Sequence, residues 1–291
     1  MSYATKPLSN RIAVVFDFDE TLIRDDSFKI LLRDCQLDVE AFERDRVTPL
    51  VEQGWHKYLA RTYCLVQESR RREGKDKITY ERLANLGQKL HLIEGVSSMF
   101  ECLRKRAVEI VPQVEVEFYL ISGGFVDIAR NTSIAKHFTQ IWGCELAYDE
   151  NGEIQFLKQL MSHTEKTHFL YYLSSIGIER ENEQDLMYNY RDVPIKELYV
   201  PLNQVIYVGD GTSDIPCFTV INQYGGIALG IFQDNLTAQK WEHRKKVTNS
   251  QQLTNLVPAN YNLDSELMRS LILGIESISK QIALLQFSVG E

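Results

Sequence analysis

Short apolar runs along the chain predict the strands of a buried parallel sheet. Each run is rich in β-branched or aromatic residues, as strands covered on both faces are. The runs cover residues 12–16, 115–121, 204–208 and 226–231. Helical patterns alternate with them over residues 95–106, 126–138, 164–176 and 214–222. This alternation predicts an α/β fold with a doubly wound, mainly parallel sheet.

A segment of helical character interrupts the alternation after the first strand. Gly74 marks a break within it, and helical periodicity covers residues 26–35, 39–46, 50–67 and 80–90. An insertion at this point would lie over the carboxyl edge of the sheet, where ligands bind in open α/β folds. We therefore predict an α/β core at residues 1–24 and 91–236, with an all-helical cap inserted at 25–90.

Two segments in the second half of the chain predict structure outside this alternation. Residues 145–157 predict a β-hairpin, because Asn151-Gly152 supplies the left-handed residues that a tight turn needs. Residues 179–202 are polar and contain Pro194 and Pro201. They predict an irregular insertion before the strand at residue 204.

Residues 237–291 predict a C-terminal helical extension. Asp264 or Ser265 would cap a helix whose apolar residues recur in steps of three and four. This stripe consists of Met268, Leu271, Ile275, Ile278, Ile282 and Leu285. Because the stripe spans fewer than four heptads, we favour its docking onto the core. A homodimer that forms through this helix is the alternative.

Composition narrows the range of partners. The formal net charge of −8 over 291 residues argues against nucleic-acid binding, which needs basic surfaces. The five cysteines are scattered without a Cys-x-x-Cys pair, as expected for reduced thiols in a cytoplasmic protein. Residues 1–11 lack the apolar stretch of a signal peptide, and no segment has the apolar length of a membrane span. We therefore expect a cytoplasmic protein without a membrane partner.

Two carboxylates follow the first predicted strand directly. Asp17 and Asp19 are two positions apart, so an extended chain places both side chains on one face. Two acids this close repel each other and cost desolvation energy, so stability alone does not explain them. They need a cation, or chemistry that uses the two in different roles.

Polar residues also follow two other predicted strands. The segment Ser122–Gly124 follows the second strand, and Asp210 and Asp214 follow the third. The carboxyl ends of parallel strands lie at one edge of the sheet, so we expect these groups to converge with Asp17. Carboxylate oxygens suit Mg²⁺ rather than Zn²⁺. The glycines would free backbone N–H groups at the start of a helix to bind an anion.

Lys166 is the cation expected at this site. Ser162 and Glu165 have the spacing of a capping box, so a helix should begin near residue 163 with Lys166 in its first turn. A cation there opposes the helix dipole, and a nearby anion would compensate it. Lys158 is a weaker rival, because it follows the hairpin rather than opening a helix. Carboxylates, a lysine and backbone donors around one point indicate a phosphoryl site.

These motifs, in this order, resemble those of the haloacid-dehalogenase-like (HAD) hydrolase superfamily. Asp17-Phe-Asp19-Glu-Thr resembles the first motif, and Ser122 after an apolar strand resembles the second. Lys166 resembles the third, and Gly-Asp210-Gly-Thr-Ser-Asp214 resembles the fourth. The resemblance covers residues 11–232 and implies a Rossmann-like core.

The resemblance implies a role for each motif residue. Asp17 would form an aspartyl-phosphate, and Asp19 would protonate the leaving oxygen and then deprotonate water. The phosphoryl oxygens would be bound by Ser122, the Gly123 N–H and Lys166. The Mg²⁺ ion would be bound by Asp17, the backbone carbonyl of Asp19, Asp210 and Asp214.

Details of the motifs resemble the phosphoserine-phosphatase-like branch, which carries a helical cap after the first motif. The details lie in residues 93–96 and 121–125. Asp26 stands where phosphoserine phosphatases usually have a Glu that holds the substrate amine, so Asp26 is a candidate substrate-selecting residue. Ser213 stands where the fourth motif more often has Asn.

The sequence thus predicts a cytoplasmic, Mg²⁺-dependent phosphatase that hydrolyses a small phosphorylated metabolite. One alternative is a specific phosphoserine phosphatase. Another is a non-catalytic phosphate-binding or scaffold protein of the same fold. An acid at position 19 disfavours the second alternative, because a binding protein needs no general acid.

Overall fold

The structure, a computed structural model, describes residues 9–175, 193–194, 197–211, 213–233 and 253–288. Seven strands form a mainly parallel sheet with the order β4-β3-β2-β1-β5-β6-β7. They are β1 (Arg11–Phe16), β2 (Glu115–Phe125), β3 (Gln140–Tyr148), β4 (Ile154–Gln159), β5 (Val205–Gly209), β6 (Ile227–Phe232) and β7 (Asn255–Pro258). The predicted fold class is confirmed.

The pairing of the strands follows the predicted pattern. β1 pairs with β5, β5 with β6 and β6 with β7, all in parallel, with Val14 opposite Ile206. β3 and β4 are antiparallel, as the Asn151-Gly152 turn predicts, and Gly152 has a φ of +75°. The predicted strands are β1, β2, β5 and β6. The sequence did not predict β7, because four residues are too few to show a period.

Ten α-helices are described. They are α1 (Ser27–Asp34), α2 (Val39–Phe42), α3 (Thr48–Glu52), α4 (Lys57–Arg70), α5 (Tyr80–Lys89), α6 (Val96–Ile110), α7 (Val126–Ala129), α8 (His163–Ser174), α9 (Ile215–Gln223) and α10 (Glu266–Ser288). A π-helix (Glu43–Val47) links α2 to α3. Among the described residues, none of the helices has both the length and the apolar character that crossing a bilayer requires.

Three predicted helices differ from those observed. Residues 126–138 form only the single turn α7 and a 3-10 turn (Ala135–His137), since β2 continues to Phe125. The predicted helix at 50–67 is divided, because Gly54 adopts a φ of +91° between α3 and α4. The predicted helix at 39–46 is α2 followed by the π-helix.

The chain forms two compact units, and the first contains most of the parallel strands. It comprises the described residues of Met1–Asp17, Ile93–Tyr119 and His163–Glu291. The interior of β1, from Ile12 to Phe16, is completely buried. Phe16 stacks on Phe118 with ring centroids 6.5 Å apart, and Phe100 meets Phe118 edge to face at 4.9 Å. This apolar core holds the carboxyl end of β1 rigidly, which positions the residue that follows it.

Helix α10 packs within the first unit. Ser265 caps it, because its Oγ accepts the N–H of Met268 at 3.1 Å. Gly274 lets the helix approach closely, since a Cβ there would lie 3.0 Å from Ile206. The docking favoured from the sequence is observed for the buried stripe residues Met268, Leu271, Ile275, Ile278 and Ile282, while Leu285 at the end is exposed. The homodimer through this helix stays a prediction.

The second unit comprises Phe18–Leu92 and Leu120–Ser162, and so contains α1–α5, α7 and the β3–β4 hairpin. Glu153 of the hairpin is only 7% exposed and connects it to α4. It accepts a hydrogen bond from Ser69 Oγ at 2.7 Å and pairs with Lys77. Ser69 Oγ also accepts the N–H of Ile78 at 3.0 Å. A chain of buried polar contacts therefore fixes α4 on the hairpin.

The division into a core (1–24 and 91–236), a cap (25–90) and an extension (237–291) stays a prediction. The helices α1–α5 all lie within residues 25–90. Most of the irregular insertion expected at 179–202 lies outside the described residues. So does the start of the extension, up to residue 252.

Candidate active site

Asp17 is the first residue after β1, as predicted. Its N–H donates to the carbonyl of Val208 at 2.9 Å, which extends the pairing of β1 with β5 by one residue. The Asp17 side chain is buried, with the residue 5% exposed. Burying a carboxylate costs several kcal/mol unless it is paired, so Asp17 needs a cation close by.

Lys166 supplies this positive charge. Helix α8 begins at His163, which places Lys166 in its first turn as predicted. The Lys166 Nζ lies 3.0 Å from Asp17 Oδ2 and 2.8 Å from Asp214 Oδ1, and the residue is 1% exposed. Burial opposes the ammonium charge, but the carboxylates of Asp17 and Asp214 outweigh it and hold the pKa of Lys166 above its usual range. Lys166 is therefore a fixed cation.

Asp214 is completely buried and is held from several directions. The Tyr207 hydroxyl donates to its Oδ1 at 2.7 Å, and the Gly211 N–H donates to its Oδ2 at 3.3 Å. Gly209 makes room for the carboxylate, since a Cβ at this position would lie 2.5 Å from the Asp214 Cγ. Burial and the charge of Asp214 raise the pKa of Tyr207 well above its usual range. The hydroxyl therefore stays protonated as a donor.

Asp17, Asp210 and Asp214 form a cluster of carboxylates in the first unit. Each offers an oxygen, and these oxygens lie within 4.8 Å of one another. Lys166 brings one positive charge to the three carboxylates, so this set is net negative. Several convergent oxygen donors with net negative charge fit Mg²⁺, a hard cation that prefers oxygen ligands. The residues present therefore fit the metal that the sequence predicts.

Asp19 lies in the second unit, where Ser27 binds its carboxylate. The Ser27 N–H donates to Asp19 Oδ1 at 2.9 Å, and the Ser27 Oγ donates to Asp19 Oδ2 at 3.1 Å. Ser27 is completely buried, whereas Asp19 is partly exposed. Two hydrogen bonds from one residue fix the orientation of the carboxylate plane.

Ser122 and the glycines after it belong to the end of β2. The Ser122 Oγ accepts the N–H of Gly124 at 3.0 Å. A Cβ at Gly124 would lie 3.0 Å from Asp19 Oδ2, and one at Gly123 would lie 2.4 Å from the Tyr58 hydroxyl. The helix expected after these residues does begin, at Val126, but α7 is only a single turn. The glycines also make room for the side chains of Asp19 and Tyr58.

Asp26 is the N-cap of α1. Its Oδ1 accepts the N–H groups of Phe28 at 2.8 Å and of Lys29 at 3.3 Å, and its Oδ2 lies 3.5 Å from Arg61 Nη1. Arg61 also pairs with Glu43 at 2.6 Å. One oxygen of Asp26 thus serves helix α1, and its role in substrate selection stays a prediction.

The predicted site residues form a group in each unit. In the first unit, the group is Asp17, Lys166, Asp210 and Asp214. In the second unit, the group is Asp19, Ser122 and Gly123. Sequence reasoning missed Tyr207 and Ser27, which hold members of these groups. A tyrosine in an otherwise aliphatic strand was an available signal for Tyr207, whereas Ser27 directly after a capping Asp carries no distinctive one.

Solved structures with a similar fold include a HAD family hydrolase and phosphoserine phosphatases. The chain matches a HAD family hydrolase from Salmonella enterica serovar Typhi with a TM-score of 0.56 at 14% identity, covering 91% of this chain and 72% of the other. It matches a probable phosphoserine phosphatase from Vibrio cholerae with a TM-score of 0.53 at 16% identity, covering 96% and 69%. A phosphoserine phosphatase solved as a phospho-aspartyl intermediate analogue gives 0.52 at 14% identity, covering 90% and 97%. The fold is that of HAD-like hydrolases.

A family model matches most of this sequence. The family model described as Putative Phosphatase matches residues 12–229, about three quarters of the chain. The chain belongs to this phosphatase family, and its place in the HAD-like superfamily is confirmed. An uncharacterized protein of Borreliella burgdorferi is 25% identical over an alignment of 238 residues, and the match covers 73% of this chain and 79% of the other.

Proposed function

We propose that this chain is a Mg²⁺-dependent phosphatase that hydrolyses a small phosphomonoester through an aspartyl-phosphate. The observation that carries the proposal is the buried contact of Lys166 with Asp17 and Asp214, at 3.0 and 2.8 Å. A cation beside a carboxylate favours its charged form, which a carboxylate nucleophile requires. Membership of a phosphatase family supports the same chemistry.

Asp17 is the proposed nucleophile. One of its oxygens attacks phosphorus, so that an Asp17 O–P bond forms while the ester O–P bond breaks. Water then attacks phosphorus and breaks the Asp17 O–P bond, which releases phosphate. Two displacements replace one difficult displacement by water. Lys166 supplies positive charge for the phosphoryl oxygens while charge builds on them.

Three carboxylates and one carbonyl are the proposed metal ligands. They are the side chains of Asp17, Asp210 and Asp214, and the backbone carbonyl of Asp19. When bound, Mg²⁺ would neutralise part of the negative charge that the phosphate brings to this acidic cluster. The mutual approach of the three carboxylate oxygens, within 4.8 Å, supports this assignment.

Asp19, Ser122 and Gly123 are the proposed remaining members of the site. Asp19 gives a proton to the leaving ester oxygen and takes one back from the attacking water. The Ser122 hydroxyl and the Gly123 N–H donate to the phosphoryl oxygens. A general acid is needed for turnover but not for binding. This requirement disfavours a non-catalytic phosphate-binding or scaffold protein.

The proposed substrate is a small phosphorylated metabolite, and a specific phosphoserine phosphatase is the second candidate. The fold similarity to phosphoserine phosphatases, at TM-scores of 0.52 and 0.53, favours this candidate. Asp26 also favours it, because a carboxylate at this position would hold the amine of phosphoserine. In this chain Asp26 must share its charge between the start of α1 and any such amine.

Phosphate release from a panel of small phosphomonoesters tests the proposal. The panel includes phosphoserine and p-nitrophenyl phosphate, and each assay is run with Mg²⁺ and with EDTA. We expect release only with Mg²⁺, and a loss of more than about 10³-fold in Asp17→Asn, because the nucleophile is gone. The ranking of the esters separates a broad phosphatase from one specific for phosphoserine.

Asp45→Asn is the matched control. Asp45 is an exposed acid that pairs with Arg44 on the surface, so its substitution should leave the rate unchanged. A rate that Asp17→Asn does not lower would contradict the aspartyl-phosphate route. Absence of release from every ester, in a folded protein that binds Mg²⁺, would favour the non-catalytic phosphate-binding protein.

A further inference from the structure

We propose that Ser27 is a positioning residue that orients Asp19 for proton transfer to the leaving oxygen. The inference rests on the proposed function and adds to it a residue outside the four motifs. Both hydrogen-bond donors of Ser27, its N–H and its hydroxyl, go to Asp19.

The two hydrogen bonds from Ser27 reach different oxygens of one carboxylate. The N–H reaches Asp19 Oδ1 at 2.9 Å, and the hydroxyl reaches Asp19 Oδ2 at 3.1 Å. A single bond would leave the carboxylate free to rotate about χ2, whereas two bonds from one rigid residue fix its plane. Ser27 is completely buried, so water does not replace its hydroxyl.

The start of helix α1 explains why the Ser27 N–H is available. The first N–H groups of a helix have no partner within the helix and need an outside acceptor. Asp26, the N-cap, accepts the N–H groups of Phe28 and Lys29 with its Oδ1. The remaining N–H, that of Ser27, goes to Asp19. Helix α1 thus shares its N-terminal donors between a structural carboxylate and a candidate catalytic one.

Gly124 restricts the space on the other side of Asp19. A Cβ at Gly124 would lie 3.0 Å from Asp19 Oδ2, 2.9 Å from Ser27 Oγ and 3.3 Å from Ser122 Oγ. The Asp19 carboxylate is therefore packed between the start of α1 and the end of β2.

The orientation matters at the two proton transfers of the reaction. As the ester O–P bond breaks, the proton of the Asp19 carboxyl group passes to the ester oxygen, and the alcohol leaves. In the second displacement the Asp19 carboxylate takes a proton from water, so the carboxyl group is restored. Proton transfer needs the acid within hydrogen-bond reach of the oxygen and correctly aligned.

The chemical nature of the leaving group provides the test, because only a basic leaving group needs the proton from Asp19. An alkoxide leaves poorly unless it is protonated, whereas p-nitrophenolate leaves without help. We compare kcat/KM of Ser27→Ala with that of the wild type on phosphoserine, or on the best alkyl ester of the panel, and on p-nitrophenyl phosphate. We expect a loss of about tenfold or more on the alkyl ester and less than about twofold on p-nitrophenyl phosphate.

Two further variants separate positioning from folding. Ser27→Thr keeps the hydroxyl and should restore most of the alkyl-ester activity. Ser69→Ala removes another buried hydroxyl that donates to a carboxylate of the same unit, that of Glu153 at 2.7 Å. It should lower stability without changing the ratio of the two substrates. Thermal unfolding of each variant shows how much of any loss is due to instability.

The outcomes distinguish the inference from the proposed function. A wild-type protein that hydrolyses neither ester overturns both. An active wild type with equal losses on both esters in Ser27→Ala overturns the inference alone, because a positioning residue for the general acid must affect the basic leaving group more. Failure of Ser27→Thr to restore activity, although it is folded, also overturns it.

Discussion

The candidate residues of the two units are held by different forces. In the first unit, Lys166 lies between Asp17 and Asp214, and all three residues are 5% exposed or less. In the second unit, Asp19 is partly exposed and is held by the neutral N–H and hydroxyl donors of Ser27. The first group therefore depends on a balance of buried charge, and the second on the orientation of dipoles.

This difference separates two costs of substitution. Removing one partner of a buried ion pair leaves an uncompensated charge and costs about 3–5 kcal/mol. Removing a neutral donor from a carboxylate costs about 1.5–3 kcal/mol. In the first unit stability and activity are therefore coupled, whereas in the second unit activity can change with a smaller loss of stability.

The largest expected effect is that of Lys166→Met. The variant leaves Asp17 and Asp214 buried without their shared cation, so we expect the free energy of unfolding to fall by about 3–5 kcal/mol. Phosphatase activity should be lost as well. Urea denaturation in EDTA measures the stability, because without divalent ions no metal can replace the missing charge.

Lys158→Met is the control for Lys166→Met. Lys158 is exposed and pairs with Glu145 at 3.4 Å on the surface, and such pairs contribute about 0–1 kcal/mol. If the two lysine variants were equally stable, the buried charge balance would not hold the first group together.

An intermediate effect is expected from two glycines that each make room for a carboxylate. In Gly209→Ala the new Cβ would lie 2.5 Å from the Asp214 Cγ, and Asp214 is held by Lys166 and Tyr207. Overpacking of this kind costs about 1–3 kcal/mol. In Gly124→Ala the closest atoms are Ser27 Oγ at 2.9 Å and Asp19 Oδ2 at 3.0 Å, so the overlap is smaller than in Gly209→Ala.

The two glycine variants test whether stability and activity are lost together or separately. We expect Gly209→Ala to lose both thermal stability and activity, and Gly124→Ala to lose activity with a smaller loss of stability. Thermal unfolding and phosphate release measured on the same samples check this. Equal losses of stability in Gly209→Ala and Gly124→Ala would contradict the proposed difference between the two units.

The smallest expected effect concerns acid pH and the Glu153 contacts of the second unit. The hydrogen bond and charge of Lys77 hold the pKa of Glu153 below its usual range. A carboxyl group with a lowered pKa in the folded state stabilises the protein above its unfolded pKa, near 4.5. This contribution is lost as the pH falls through the folded value.

Glu153→Gln should therefore be less stable than the wild type at pH 7, by about 1 kcal/mol. The difference should shrink as the pH falls below about 4.5 and should vanish below the folded pKa, where the wild-type carboxyl group is protonated in both states. Urea denaturation across this pH range measures it. Glu150→Gln, an exposed residue of the hairpin turn, should behave as the wild type throughout. A difference that is independent of pH would show that the charge of Glu153 is not the cause.

The parts of the fold that depend on local sequence patterns could be predicted. The apolar runs that became β1, β5 and β6 are buried on both faces, so their composition identified them. Asn151-Gly152 identified the β3–β4 hairpin by its backbone preference. The end of β2 could not be predicted, because Ser122–Gly124 reads as a turn and is extended only through its contacts in the sheet.

The site residues that belong to the sequence motifs could be predicted. Asp17, Lys166, Asp210 and Asp214 were expected at strand or helix ends, and the structure groups them. The direct contact of Lys166 with Asp214 was not foreseen, because the motifs place both residues at one site without specifying which atoms touch. Tyr207 and Ser27 act on site residues through tertiary hydrogen bonds. The hydrophobic periodicity of the sequence does not reveal such bonds.

The central position of β1 in the sheet matters for the order in which the chain can fold during synthesis. The ribosome makes β1 first, but its neighbours β2 and β5 begin only at residues 115 and 205. At about 5–20 residues per second, β1 waits on the order of ten seconds or longer for β5. An apolar strand with an unpaired edge readily pairs with other chains. The strand that presents Asp17 is therefore exposed to mispairing until β5 has been synthesised.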